Sequence, residues 1–302
     1  MRLRHLHVAL ILSSAALASV AWAQAPPLTR EGPLEVLTLD DATDAKRWSV
    51  AECEMTSDTT HVKLGQASLR FGVPVDWTTG EPQYPVGWPR TDRAARQDWE
   101  SDWSGFDFLE FWVYTTSNRA KLPGAPAGLI LSGTGKDSWH RPLTELKLKQ
   151  WVRFAVPLEP LAFRSAVKNV KFFISESDYR DKDRVDFYIS PLRLLRYAEP
   201  VLESFAPGRE VIYGGAPGLP LSAKVLGLKE GQGAELKVGL TAGGRAILQR
   251  TLPVAKGQQR LWLDFGGKTL AEGSYTVSAS LAGASGTPIA AKVRVVADPW
   301  GR

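Results

Sequence analysis

From residue 34 onward the chain is built of short apolar runs cut by Gly, Pro, Asn and Asp, and no long stretch carries the 3.6-residue period of an amphipathic helix. Such runs at regular spacing are the mark of a sandwich or barrel of strands. Strands are expected at 34–39, 68–73, 108–115, 128–131, 151–157, 169–175 and 184–195, with one short helical turn at 158–164. Residues 108–114 are dense in aromatic and β-branched types, which suits a central strand. The expected fold class is therefore all-β.

A change of composition divides the chain. Trp is concentrated before residue 198; after 208, Gly, Ala, Leu and Val take over. The later block alternates with period two at 235–240, 274–281 and 291–296, and glycine pairs at Gly243–Gly244 and Gly266–Gly267 mark turns. About seven strands in such a length suit a compact sandwich.

The N-terminus carries a different signal. Arg2 and Arg4 precede an apolar stretch from Val8 to Val20, and Ala21-Trp22-Ala23 supplies an A-x-A site. This is the layout of a secretory signal peptide, and the apolar run is shorter than the roughly 20 residues a bilayer span needs. The expected divisions are a signal peptide at 1–23, a linker at 24–33, a first domain at 34–197, a linker at 198–208 and a second domain at 209–302. The protein is then expected to be secreted, periplasmic or extracellular, with no membrane span once the signal is cleaved.

Charge and chemistry-bearing residues narrow the function. The formal charge of +5 is spread out and falls further when the signal arginines leave, so nucleic acid is not an expected partner. Cys53 is the single cysteine, which forbids an internal disulfide and reads as a half-buried strand residue. His61 and His140 are the two histidines that survive signal removal, too few for a His-rich zinc site. The phosphate-loop lookalike at 132–137 fails because Asp137 stands where Ser or Thr is required.

Five segments, taken in order, give the first block a resemblance. They are Leu39-Asp40-Asp41 followed by Trp48; 62–71, with Gly65, Ser68 and Leu69; 102–113, beginning Asp102-Trp103-Ser104-Gly105; 148–158, with Trp151 and Pro157-Leu158; and 185–194. Together they resemble the galactose-binding-like jelly-roll modules found beside glycoside hydrolases and polysaccharide lyases. The resemblance implies an N-terminal jelly-roll β-sandwich that binds a polysaccharide or other glycan without catalysis. Residues 270–277, with Gly273 and Tyr275, resemble a strand start common in immunoglobulin and fibronectin type III-like modules, which implies a C-terminal immunoglobulin-like β-sandwich. In many jelly-roll modules an Asp of the last motif helps to hold a structural calcium. Ser190 and Pro191 occupy that place here, leaving Asp40, Asp41 and Asp186 as its oxygen donors. No other cofactor is expected.

Binding a sugar calls for exposed aromatic faces beside hydrogen-bonding groups. Trp48, Trp103, Trp112 and Trp151 lie within the strand motifs and are expected in the core. The Pro-rich insertion at 75–99 offers Trp77, Tyr84, Trp88 and Arg90 as a platform. Trp139, His140 and Arg141 form a second candidate, and Tyr179, within the charged run 176–183, a third; that run otherwise reads as a solvated loop. Two alternatives stay open. One is a structural or adhesion protein of a surface assembly. The other is a polysaccharide lyase using Tyr84 or Tyr179 with His140 and Arg141, or a glycosidase, for which no carboxylate pair stands out.

Overall fold

The computed structural model describes residues 28–78, 86–95, 99–229, 231–284 and 286–298. The expected signal peptide and Tyr84 lie outside the described residues. The first block contains β1 (Thr29–Glu31), β2 (Leu34–Asp40), β3 (Ser49–Ala51), β4 (Glu54–Asp58), β5 (Ser68–Pro74), β6 (Arg90–Ala94), β7 (Phe108–Ser117), β8 (Gly128–Ser132), β9 (Ser138–Pro142), β10 (Trp151–Pro157), β11 (Asn169–Phe173), β12 (Arg184–Ile189) and β13 (Leu192–Tyr197). The second contains β14 (Val201–Pro207), β15 (Val211–Tyr213), β16 (Gly218–Leu226), β17 (Ala234–Ala242), β18 (Arg245–Val254), β19 (Gly257–Asp264), β20 (Gly273–Leu281) and β21 (Ile289–Val296). The protein is all-β, and its named strand pairs are antiparallel except β15 with β21.

The first block folds as two facing sheets. The larger runs β1-β2-β13-β7-β12-β5-β4, with β10 on the other side of β7; the smaller runs β3-β6-β11-β8-β9. The segment expected as one strand at 184–195 is two. Pro191 has no N–H to give to a ladder, and Ser190 fills the gap. Its N–H donates to the Trp112 carbonyl at 2.9 Å, and its Oγ accepts from the Trp112 N–H at 2.9 Å. One edge of β7 is therefore lined first by β12, from Ser117 to Val113, and then by β13, from Glu110 to Phe108. The expected helical turn appears later, as a 3-10 turn at Arg164–Ala166.

Alternate residues of both sheets meet between them. Phe111 of β7 stacks on Phe154 of β10 (5.2 Å) and meets Phe172 of β11 edge-on (5.3 Å), joining the layers. Each large apolar side chain buried this way contributes about 1.5–3 kcal/mol. Trp48 and Trp103 lie in this core as expected. Trp112 and Trp151 do not: both are half-buried on the outer face of the large sheet, near Tyr114 (5.5 Å from Trp151) and beneath the β4–β5 loop, whose His61 stacks on Tyr188 at 3.9 Å and whose Lys63 lies 4.6 Å from Trp112.

The second block has its own core between a three-stranded sheet, β14-β16-β19, and a five-stranded one, β15-β21-β20-β17-β18. Tyr275 is buried, and its phenol donates to the Ala271 carbonyl at 2.9 Å, a corner that fixes the start of β20. The two blocks are joined through Asp107, which is buried. Its carboxylate accepts the N–H of Tyr197 (3.0 Å) and of Gly227 (3.2 Å) and pairs with Lys256 (3.2 Å). Lys256 also donates to the carbonyls of Ser104 and Phe106, at 3.1 and 2.9 Å.

Candidate functional site

The smaller sheet of the first block presents a coherent outer face. Thr91, Arg93, Leu129, Leu131, Val170 and Phe172 turn inward and are buried, so their neighbours in sequence turn outward. Register then lays out two rows across the strands. One reads His140, Ile130, Lys171, Asp92, Ser49; the next reads Gly128, Phe173, Arg90. Asp92 is held in place by Asn169 Nδ2 at 2.7 Å and Ser49 Oγ at 2.8 Å.

Trp88 stands over the second row. Gly87, with φ of +92°, turns the chain into it, and the Trp88 N–H donates to Glu52 Oε2 at 2.6 Å. Two cations lie against the indole, the Arg90 guanidinium 4.7 Å and Lys171 Nζ 5.2 Å from the ring centre, with Phe173 edge-on at 5.9 Å. Arg90 also donates to the Trp88 carbonyl at 3.1 Å. Phe173 lies directly over Gly128, where a β-carbon would come within 2.4 Å of its ring. Cation–π contacts of this kind hold an aromatic face in one orientation at about 0.5–1 kcal/mol each when exposed. The outcome is a fixed, half-buried aromatic ring ringed by donors and acceptors.

Glu52 and Glu176 anchor the insertion from beneath. Glu176 is 2% exposed; its Oε1 accepts the Asp76 N–H at 3.2 Å, and its backbone carbonyl accepts Trp77 Nε1 at 3.3 Å. Its Oε2, and Oε1 of Glu52, are buried without a hydrogen-bond partner. Burial, reinforced by the negative charges of Glu52, Asp76 and Asp181, pushes the Glu176 carboxyl up to about 7. Glu176 Oε2 is also pressed against Gly87. Trp77 is 45% exposed, with its N–H bonded to Asp181 at 3.1 Å.

Several expected site residues lie elsewhere. Trp139, His140 and Arg141 share one strand, so alternation parts them. His140 faces outward, while Trp139 packs against the core and Arg141 lies 5.7 Å from the Phe154 ring and 2.6 Å from Glu145. Tyr179 is not on the surface. It is 3% exposed, its phenol donates to the Pro126 carbonyl at 2.6 Å, and burial drives its ionisation upward. Nor is the charged run 176–183 a solvated loop throughout, since Glu176 and Asp183 are buried with it. Cys53 falls in the turn between β3 and β4 rather than in a strand, donates to the Arg90 carbonyl at 3.1 Å, and has its thiol raised by burial to about 11, which removes it as a nucleophile.

The three carboxylates expected around calcium have protein partners. Asp40 accepts from the Ala42 N–H, Trp48 Nε1 and Arg93 Nε at 2.9, 3.2 and 3.2 Å. Asp41 caps Thr43 through N–H and Oγ at 3.0 and 2.7 Å, and Asp186 takes Arg70 Nε and Nη2 at 2.9 and 2.6 Å. Among the described residues no group of three or more His, Cys, Asp or Glu side chains is placed to hold a metal ion. No helix among them is long and apolar enough to cross a membrane.

Lys171, Phe173, Asp92 and Asn169 were not foreseen. The segment 169–175 reads as a strand, but the register that sets Lys171 and Phe173 beside Arg90 is a long-range property.

No protein-family model matches the chain, and no curated protein does. Solved structures give low-scoring similarities. An exo-β-agarase is 8% identical over 53% of this chain, with a TM-score of 0.38, and the chain spans 25% of that enzyme. The module CBM27-1 of Caldicellulosiruptor saccharolyticus, solved in complex with mannohexaose, is 16% identical over 53% of this chain and 96% of its own length, at 0.32. The N-terminal CBM22-1-CBM22-2 tandem domain of Paenibacillus barcinonensis Xyn10C is 9% identical over 86% of this chain and 84% of its own length, at 0.36.

Proposed function

We propose that this chain is an exported, non-catalytic carbohydrate-binding protein that takes a polysaccharide on the outer face of the β3-β6-β11-β8-β9 sheet. The observation that carries the reading is the half-buried indole of Trp88, held by Arg90 and Lys171 with Phe173 at its edge. A pyranose presents an apolar C–H face and a rim of hydroxyls. The face stacks on the indole, and the rim meets Arg90, Lys171, Asp92 and His140, which between them donate and accept. Trp77, 45% exposed, offers a second ring on the same insertion. Of the groups a lyase would draw on, Tyr179 is buried, and His140 and Arg141 face opposite ways.

Affinity electrophoresis of the exported chain in gels containing soluble polysaccharides tests this. Retardation is expected in at least one gel, and Trp88→Ala is expected to weaken it by about tenfold or more, ~1.4 kcal/mol. No retardation by any polysaccharide, or full retardation of the Trp88→Ala variant, would overturn the reading. Release of reducing ends or unsaturated products would replace it with an enzyme.

A further inference from the structure

The second block carries an aromatic platform of its own. Trp262 of β19 is 50% exposed on the outer face of the β14-β16-β19 sheet. Its ring lies across Gly218 of the neighbouring strand: a β-carbon there would come within 2.7 Å of Cε2 and 2.8 Å of Cζ2. Pro220 sits opposite it in register. One side of the indole is thus backed by bare main chain, and much of the ring remains open to water. On the same face Arg260 and Asp264 flank it along β19, and Ser222 and Gln258, bonded to each other at 2.5 Å, lie beyond. Arg260 has no carboxylate partner among the described residues, and neither does the indole N–H have an acceptor.

We infer that Trp262 is a second saccharide-stacking site, taking one sugar residue of a glycan with Arg260 and Asp264 at its hydroxyl rim. This rests on the reading above that the chain binds a glycan. The dimensions select the occupant. A stable protein interface needs about 800 Å² per partner with a charge-poor centre. Here the apolar area is one indole and one proline, bordered immediately by charged groups. A single pyranose covers that area and uses the border.

The experiment compares wild type, Trp88→Ala, Trp262→Ala and the double variant, each as the full exported chain, in native gels cast with galactomannan, xyloglucan, mixed-linkage β-glucan or polygalacturonate. Trp262→Ala is expected to lose threefold or more in affinity for a polysaccharide that retards wild type, Trp262→Phe to keep most of it, and the double variant to fall below either single one. Wild-type retardation by Trp262→Ala, with loss in Trp88→Ala, would sink the second site and leave the first. The reverse pattern would sink the first and leave the second, and no retardation of wild type would sink both. Should Trp262→Ala lose its circular dichroism signal, oxidation of Trp262 by N-bromosuccinimide in wild type decides: protection by the retarding polysaccharide supports the site, and equal oxidation with and without it overturns it.

Discussion

The carboxyl of Glu176 rests against the α-carbon of Gly87, so closely that a β-carbon at position 87 would lie 2.2 Å from Oε2. With φ of +92°, Gly87 also holds a backbone conformation that side chains disfavour. Gly87→Ala therefore displaces either Glu176 or the turn that delivers Trp88. A loss of about 1–3 kcal/mol is expected, seen as a lower thermal midpoint, together with weaker polysaccharide retardation. A variant that melts and binds like wild type would show that the turn does not position Trp88.

Glu176 gives the fold a pH dependence whose sign is fixed. Its carboxyl titrates near 7 in the folded chain against an ordinary 4.5, so between those values the folded state holds a proton that the unfolded state has lost. Stability from this group is greatest below about pH 4.5, declines as pH rises towards 7, and is level above that. Glu176→Gln keeps the uncharged form at every pH. Its thermal midpoint is expected to gain on wild type from pH 5 to about pH 7 and to keep a constant lead above that; parallel curves throughout would show that Glu176 ionises normally.

Lys256 bonds a carboxylate and two carbonyls of the first block while belonging to the second. In Lys256→Met, Asp107 keeps its two N–H donors but loses its cation inside the protein. Breaking a buried pair from one side costs about 3–5 kcal/mol. Because that loss falls at the junction, calorimetry is expected to show wild type unfolding in one transition and the variant in two. A single unchanged transition would mean that the junction is held by other contacts.

Tyr179→Phe separates burial from binding. It removes the donor to the Pro126 carbonyl, costing about 1–3 kcal/mol, and leaves the outer sheet face untouched. Urea denaturation should register the loss, while polysaccharide retardation should stay at the wild-type value. A change in retardation would return Tyr179 to the site.

The strands were legible because their local chemistry repeats; the faces were harder to assign. In β7 both parities are apolar, with Leu109, Phe111 and Val113 on one side and Phe108, Trp112 and Tyr114 on the other. Pattern alone could not tell that Trp112 points away from the core. The parity of β9 was readable, since neighbours in a strand must face opposite ways, and a strand at 138–142 would have separated His140 from Trp139 and Arg141. Tyr179 was hidden by the acidic residues around it, whose burial depends on the packing of distant segments. Trp88 and Arg90 stand out in the sequence because proline and glycine punctuate their insertion. Lys171 and Phe173, from a strand some eighty residues later, complete the setting only through register.

The clasp formed by Asp107 and Lys256 also bears on what lengths of polymer the chain would favour. The two proposed aromatic stations, on blocks joined this firmly, could not drift independently to meet a short oligosaccharide. Each short chain would occupy one station at a time, whereas a glycan long enough to bridge both would gain from the high local concentration at the second. Were one glycan to occupy both proposed stations, affinity would rise in a step with chain length rather than smoothly.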